Sequence, residues 1–199
     1  MDKQSFSFNN VFDRIKNRSY KDLAKNLWLP LVIIFVLIFS DMLSKSLVEN
    51  NMELGQRLIL IPNFLSITYV LNEGAAFSIL SGKKWFFIIV TTVTVVVVMF
   101  YLIYDCDRLT VLMKIAIALI VGGALGNLID RIMLGKVRDF IEIIFFGYDL
   151  PLLGESFAIF NIADCGITIG AILLIIGILI GYHKKDKSEQ KEITTEAGE

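Results

Sequence analysis

The chain has 199 residues, of which 55% are hydrophobic and 20% charged, with a net charge of -1. Soluble domains carry about 45–50% apolar and about 25% charged residues, so this composition, with a mean hydropathy of +0.67, is that of an integral membrane protein. It argues against disorder and a soluble enzyme; no basic excess attracts nucleic acid, and two cysteines (Cys106, Cys165) and one histidine (His183) offer neither a disulfide framework nor metal-ligand spacing.

A hydrocarbon core about 30 Å thick takes about 20 helical residues to cross. Four segments meet that demand. The first runs from Leu27 to Leu47 and carries Asp41 and Lys45 in its second half. Next, the 37 residues of segment 48–84 are more polar but contain Arg57–Leu71, rich in β-branched and aromatic residues and broken by Pro62-Asn63. That pattern predicts two short strands around a turn. An open sheet edge cannot sit in lipid, so such a sheet must rest on the bilayer surface or on the helices.

The second span, Trp85–Tyr104, is 20 residues without a charge, with Trp85 and Tyr101/Tyr104 placed as interfacial anchors. The third is Leu112–Ile129, with Lys114 near one end. Between it and the last span lies Phe140–Gly147, eight mostly apolar residues, too short to cross and read as an interfacial or re-entrant piece. The fourth span is Ala163–Tyr182, opening with Asp164. Gly122/Gly126, Gly166/Gly170 and Gly177/Gly181 fit the spacing for close helix contact. The fold class is therefore an all-α bundle of four transmembrane helices with a small extracytoplasmic sheet and an outer amphipathic segment. Residues 1–26 and 183–199 are expected to be charged cytoplasmic flanks around a membrane domain of residues 27–182.

Lys and Arg set the orientation. Twelve of the 19 fall before Leu27, in the 104–114 turn or after Tyr182, and six fall between spans on the other side. The positive-inside rule then places both termini in the cytoplasm and segments 48–84 and 130–162 outside it. No cleavable signal peptide is expected, because some 26 polar residues precede the first apolar run and no small-residue site follows it.

Polar and ionisable groups beside membrane spans point to function by default. Here they gather toward one membrane face: Asp41, Lys45, Asn72, Asn127, Asp130, Arg131, Arg138, Asp139, Asn161 and Asp164. Asp41 and Lys45, four apart, share a helix face and form a neutralised pair. Asn127, Asp130 and Arg131 occupy one face at the end of the third span, where Arg131 can offset Asp130 and Asn127 can bond across helices. Asp139 and Asp164 leave and return to the same face, so their carboxylates can converge; Arg138 is the sequence neighbour able to pair with Asp139. Two carboxylates at a partly dehydrated interface do not both ionise, which suits one to activate water and the other to donate a proton. The bland alternative is a helix cap at Asp164 and an unrelated loop aspartate at Asp139.

These residues stand in recognisable strings. Asn72-Glu-Gly-Ala-Ala-Phe-Ser78, Gly122-Gly-Ala-Leu-Gly-Asn-Leu-Ile-Asp-Arg131, Val137-Arg-Asp-Phe140, Phe160-Asn-Ile-Ala-Asp164 and Asp41-Met-Leu-Ser-Lys45 resemble, in order, the signature blocks of the lipoprotein signal peptidases, or signal peptidase II. The resemblance covers roughly residues 25–183. It implies an aspartic endopeptidase of the bacterial cytoplasmic (inner) membrane that cuts diacylglyceryl-modified prolipoproteins before the lipidated cysteine, at the outer face. The family's catalytic pair falls on Asp139 and Asp164. Its supporting positions fall on Asp41, Lys45, Asn72, Gly74, Asn127, Asp130, Arg131 and Asn161. No metal or organic cofactor is implied; the partners are lipidated precursors and membrane lipid, and the expected state is a monomer. Two readings compete. A proton or ion transporter predicts carboxylates spread through the membrane depth, and an assembly factor predicts that Asp164→Asn harms folding more than activity.

Overall fold

A computed structural model describes residues 18–74, 82–144 and 159–196, with side chains through residue 181. In chain order its elements are α1 (Tyr20–Asn51), β1 (Arg57–Ile61), β2 (Leu65–Asn72), α2 (Lys84–Asp105), α3 (Val111–Met133), β3 (Val137–Ile143) and α4 (Ile162–Glu196). Four of these helices are long and apolar enough to cross a membrane. Lipid enforces this choice, since each helix satisfies its backbone internally where no water is available to do so.

Helix α3 is the axis of the bundle. It packs against α1, α2 and α4 and buries a continuous series from Lys114 through Ala116, Ile117, Ala118 and Val121 to Asp130. Helix α2 lies at the periphery and buries only Leu102, in a cluster with Ile34, Leu109, Ile117, Ala118 and Val121. The exposed Val93, Val96, Val97, Ile172, Ile175 and Leu179 are apolar side chains that suit a lipid surround.

Small residues set the helix spacing. A Cβ built on Gly123 would collide with the backbone oxygen of Ala163, and one on Gly170 would stand 2.7 Å from that of Ala116. On Gly126 it would lie 2.7 Å from Asp41 Oδ2 and 3.2 Å from Ala163 Cβ. Gly122, Gly126, Gly166 and Gly170 thus sit at helix contacts, as their spacing predicts. The third pair divides: Gly177 faces Met113, whereas nothing lies within 4 Å of a Cβ on Gly181.

The sheet has the order β1-β2-β3, antiparallel throughout. Its first hairpin is the one expected around Pro62-Asn63, with Asn63 at φ 59. The third strand departs from the sequence reading. Phe140–Ile143, expected as an interfacial or re-entrant piece, complete the strand β3, pairing with β2 while Ile141 bridges to Phe160. The run is buried almost throughout, which removes the in-out alternation that marks a half-exposed strand. Phe145–Gly147 lie outside the described residues. Strand β1 forms the open edge and exposes all five of its residues.

The first helix begins at Tyr20, ahead of the expected Leu27, with Ser19 as its N-cap. Arg18 reaches to the end of α2, donating to the carbonyl oxygens of Ile103 at 2.6 Å and Tyr104 at 2.9 Å and pairing with Asp107 at 2.6 Å. A cation there satisfies carbonyls that the helix leaves free and opposes the negative end of its dipole. Nearby, Lys114 Nζ donates to Asn26 Oδ1 at 2.6 Å, tying α3 to α1 at the same end.

The glycine contacts yield a direct test. Gly123→Val is expected to lower unfolding stability in detergent by about 3 kcal/mol, the upper range for overpacking. Gly181→Ala, where a methyl group meets nothing, should leave the thermal midpoint unchanged or slightly raised.

Candidate active site

The polar end of the bundle is assembled from every layer of the fold. Helix α1 supplies Asp41 and Lys45, one turn apart and both fully buried. Lys45 Nζ lies 2.7 Å from Asp41 Oδ2 and 3.3 Å from Asp130 Oδ2, and donates to Asn127 Oδ1 at 3.1 Å. Helix α3 supplies Asn127, Asp130 and Arg131 from its last turns. Gly135, at φ 77, then turns the chain into β3, and the Asp130 carboxylate receives Arg138 on both oxygens, at 2.6 Å from Nη2 and 3.3 Å from Nε. It also accepts the Arg138 backbone N–H at 3.0 Å.

Two pairings read from the sequence are replaced. Asp130 is offset by Arg138 and Lys45 rather than by Arg131. Arg138 does not pair with Asp139, because adjacent residues in a strand point to opposite faces; it reaches Asp130 on one side and Glu49 at 2.6 Å on the other. Burial by itself lowers the Arg138 pKa, but the bonds to Asp130 and Glu49 outweigh it and keep the guanidinium charged. Arg131 turns away, lying 4.9 Å over the Phe87 ring and donating to the Gly74 oxygen at 3.1 Å.

Asp139 and Asp164 meet at Asn161. The Asn161 side chain donates to Asp139 Oδ1 at 2.6 Å, while its backbone N–H donates to Asp164 Oδ2 at 3.1 Å. In return Asn161 Oδ1 accepts the Asp164 N–H at 3.0 Å. Asn161 and Asp164 thereby form a reciprocal capping box at the start of α4. The cap and the convergence are one arrangement, so the bland reading of Asp164 as a cap is correct without excluding a chemical role. The remaining carboxylate oxygens are held from two further elements. Asn127 Nδ2 donates to Asp164 Oδ1 at 2.7 Å, and Asn72 Nδ2, at the end of β2, donates to Asp139 Oδ2 at 3.0 Å. Asn72 Oδ1 accepts the Gly74 N–H at 2.9 Å; the rest of that string, Ala75–Ser78, lies outside the described residues. Asp41 joins the same assembly by accepting the Ala163 N–H at 2.9 Å.

Of the ten positions singled out from the sequence, each thus takes a place in one contiguous polar cluster. Chemically, the arrangement presents two carboxylates on fixed amide donors, Asp139 buried and Asp164 partly so.

A family model described as signal peptidase II matches residues 33–180. The chain belongs to that family. Lipoprotein signal peptidases of Staphylococcus aureus strains JH9 and Newman are each 44% identical over 162 residues, covering 81% of this chain and 91% of the relative. A bacterial membrane enzyme solved by the in meso method at 2.3 Å superposes with a TM-score of 0.69 at 39% identity, covering 80% of this chain and 92% of that one. A second, solved at 1.9 Å, gives 0.64 at 39% identity over 77% and 94%. Membership in the signal peptidase II family makes the chain a membrane peptidase.

Glu49 is the participant that the sequence reading missed. It stands at the third step of Asp41, Lys45, Glu49, a spacing of four that lines one helix face. That periodic charge was the available signal.

The electrostatics of Asp139 can be tested without substrate. Burial pushes its carboxyl up from the ordinary 3.8 to about 7; the Asn72 bond opposes this, and Asp164 adds to it. The folded state then keeps a proton that the unfolded chain releases, so stability falls as pH rises from about 4 to about 7 and levels off above that. Asp139→Asn should lose this slope. Its thermal midpoint relative to wild type is expected to climb by a few degrees across that window; a parallel pair of curves would refute the displaced carboxyl.

Proposed function

We propose that this signal peptidase II family member is an aspartic endopeptidase that cleaves diacylglyceryl-modified prolipoproteins immediately before the lipidated cysteine, with Asp139 and Asp164 as its catalytic residues. The observation that carries the reading is the sharing of Asn161 between the two carboxylates, each of which accepts one further amide bond from a different element. Structural ion pairs are built from opposite charges; here two like charges are drawn together on neutral donors. Such a site suits a shared proton.

The reaction follows from that pair. The ionised carboxylate takes one proton from water as its oxygen adds to the scissile carbonyl carbon, and the protonated partner passes its proton to the carbonyl oxygen. A neutral gem-diol results. The first aspartate then gives its proton to the leaving nitrogen as the C–N bond breaks, and a diol hydroxyl returns a proton to its partner. The products are a signal-peptide carboxyl terminus and a free amino group on the lipidated cysteine, and the pair again holds one proton.

The remaining supports bear on substrate and place. An apolar bundle surface beside the site offers acyl chains a route from the bilayer, and burying them contributes about 0.8 kcal/mol per CH₂. Lipidation of the precursor, more than its peptide sequence, then sets affinity. By the distribution of Lys and Arg, both termini are cytoplasmic and the site is at the outer face. The dyad and its supports Asp41, Lys45, Asn72, Gly74, Asn127, Asp130, Arg131 and Asn161 all belong to that outer end.

Detergent-solubilised protein is expected to convert a diacylglyceryl-modified prolipoprotein to the shorter form on a gel, and to leave the unmodified precursor intact. Asp139→Asn and Asp164→Asn, each shown to fold by thermal melting, should lose at least about a thousandfold in rate. Activity persisting in either folded variant removes that residue from the dyad. For the orientation, a cysteine placed at Lys136 should react with an impermeant maleimide added to intact cells, whereas one placed at Arg108 should react only after lysis.

A further inference from the structure

Resting on the two-aspartate reading, the hydrogen bonds also distinguish the two carboxylates. An ammonium has three donors and no acceptor. Lys45 directs one of them at the Asn127 side-chain oxygen, at 3.1 Å, and lies in ion-pair contact with Asp41 and Asp130. The same Asn127 oxygen also receives Asn161 Nδ2 at 3.0 Å. With a buried ammonium on one side and an amide donor on the other, Asn127 cannot turn its NH₂ inward without setting donor against donor. Its Nδ2 is therefore committed to Asp164 Oδ1, at 2.7 Å.

The two aspartates are then in unequal settings. Asp164 lies in the first turn of α4, at the positive end of the helix dipole, and receives a fixed N–H on each oxygen. Such a setting suits the carboxylate that takes the proton from water. Asp139 sits on β3 and meets the start of α4 through the Asn161 side chain. Of its two donors, Asn161 Nδ2 also faces Asn127 Oδ1 and the Arg138 carbonyl oxygen at 3.3 Å.

We infer that Lys45 is a positioning residue for the dyad: by locking the Asn127 amide it makes Asp164 the ionised base and leaves Asp139 as the carboxyl that holds the proton. The upward displacement of Asp139 by burial runs in the same direction. In the reaction, water then gives its proton to Asp164, Asp139 protonates the carbonyl oxygen, and the leaving nitrogen takes its proton from Asp164. Lys45 itself never meets substrate.

Among the described residues, the charged and titratable groups around the pair are Asp41 and Lys45 from α1, Asp130 and Arg131 from α3, Arg138 from β3 and Cys165 from α4. Only Lys45 reaches the dyad through the Asn127 amide oxygen. The pH profile of kcat therefore separates this role from a structural one. Its acidic limb reports protonation of the base, and its basic limb ionisation of the acid. Lys45→Met removes the lock. Asn127→Leu removes the relay together with its bonds to Asp164 and Asn161 and keeps the Lys45 ion pairs, so an unmoved acidic limb in it overturns the inference even if Lys45→Met does not fold. Both are expected to lower kcat at least tenfold with KM within threefold. Both should move the acidic limb up by one pH unit or more, and by more than the basic limb.

An acidic limb that stays in place, or a basic limb that moves further, would overturn the inference; so would variants that lose only thermal stability. Wild type and the two Asp→Asn variants run alongside on the lipidated precursor. A wild type that does not cleave refutes the peptidase reading itself, whereas a cleaving wild type with unmoved limbs in the variants refutes the role of Lys45 alone.

Discussion

An ammonium group with no access to water lies at the centre of this structure, and most of the polar architecture answers to it. Lys45 is fully buried, as are Asp41 and Asp130 on either side of it. Isolated, any of these charges would cost several kcal/mol to desolvate. They are tolerable only as an alternating series: Glu49, Arg138, Asp130, Lys45, Asp41. That series links α1, α3 and β3, and Asp41 extends it to α4 through the Ala163 N–H. Replacing such a series with apolar side chains need not destabilise a fold, but removing one member strands the rest. Its value here is geometric. It fixes the relative positions of the elements that carry Asp139 and Asp164.

Close approach of the helices is the second requirement, and glycine supplies it. Gly126 leaves room for the Asp41 carboxylate between α3 and α4, and Gly123 lets the α4 backbone come against α3. In lipid there is little hydrophobic force between helices, so contact distance and interhelical hydrogen bonds hold the bundle. The same glycines that let α3 and α4 touch therefore bring Asn127 within hydrogen-bond reach of Asp164.

The site is also divided between kinds of structure. Asp164 is held at a helix N-terminus, where backbone N–H groups need acceptors, whereas Asp139 is held by a strand paired to β2. A helix end favours negative charge and a strand does not. The proposed inequality of the two carboxylates then begins with the element each belongs to, α4 for Asp164 and β3 for Asp139.

Much of this was legible in the chain. Four apolar runs of sufficient length determine four membrane helices, because lipid leaves the backbone no other open choice. The strand-forming stretch around Pro62-Asn63 determined a hairpin, and the gathering of Asp, Asn, Lys and Arg toward one face marked where the polar chemistry lies. Partners were another matter. Arg138 follows Asp130 by a turn and precedes Asp139 by one residue, and nothing in the sequence says which it chooses; strand alternation at β3 decides for Asp130. Phe140–Ile143 look like a membrane-surface segment, since burial on both faces erases the alternation that identifies a strand. The reach of Arg18 to α2, across 85 positions, is equally invisible. The sequence by itself thus determined the spans and the residue types at the site, because apolar length and the cost of charge in lipid are local properties. Which donor holds which oxygen was decided only by the tertiary structure, because hydrogen bonds form between positions that the chain alone does not bring together.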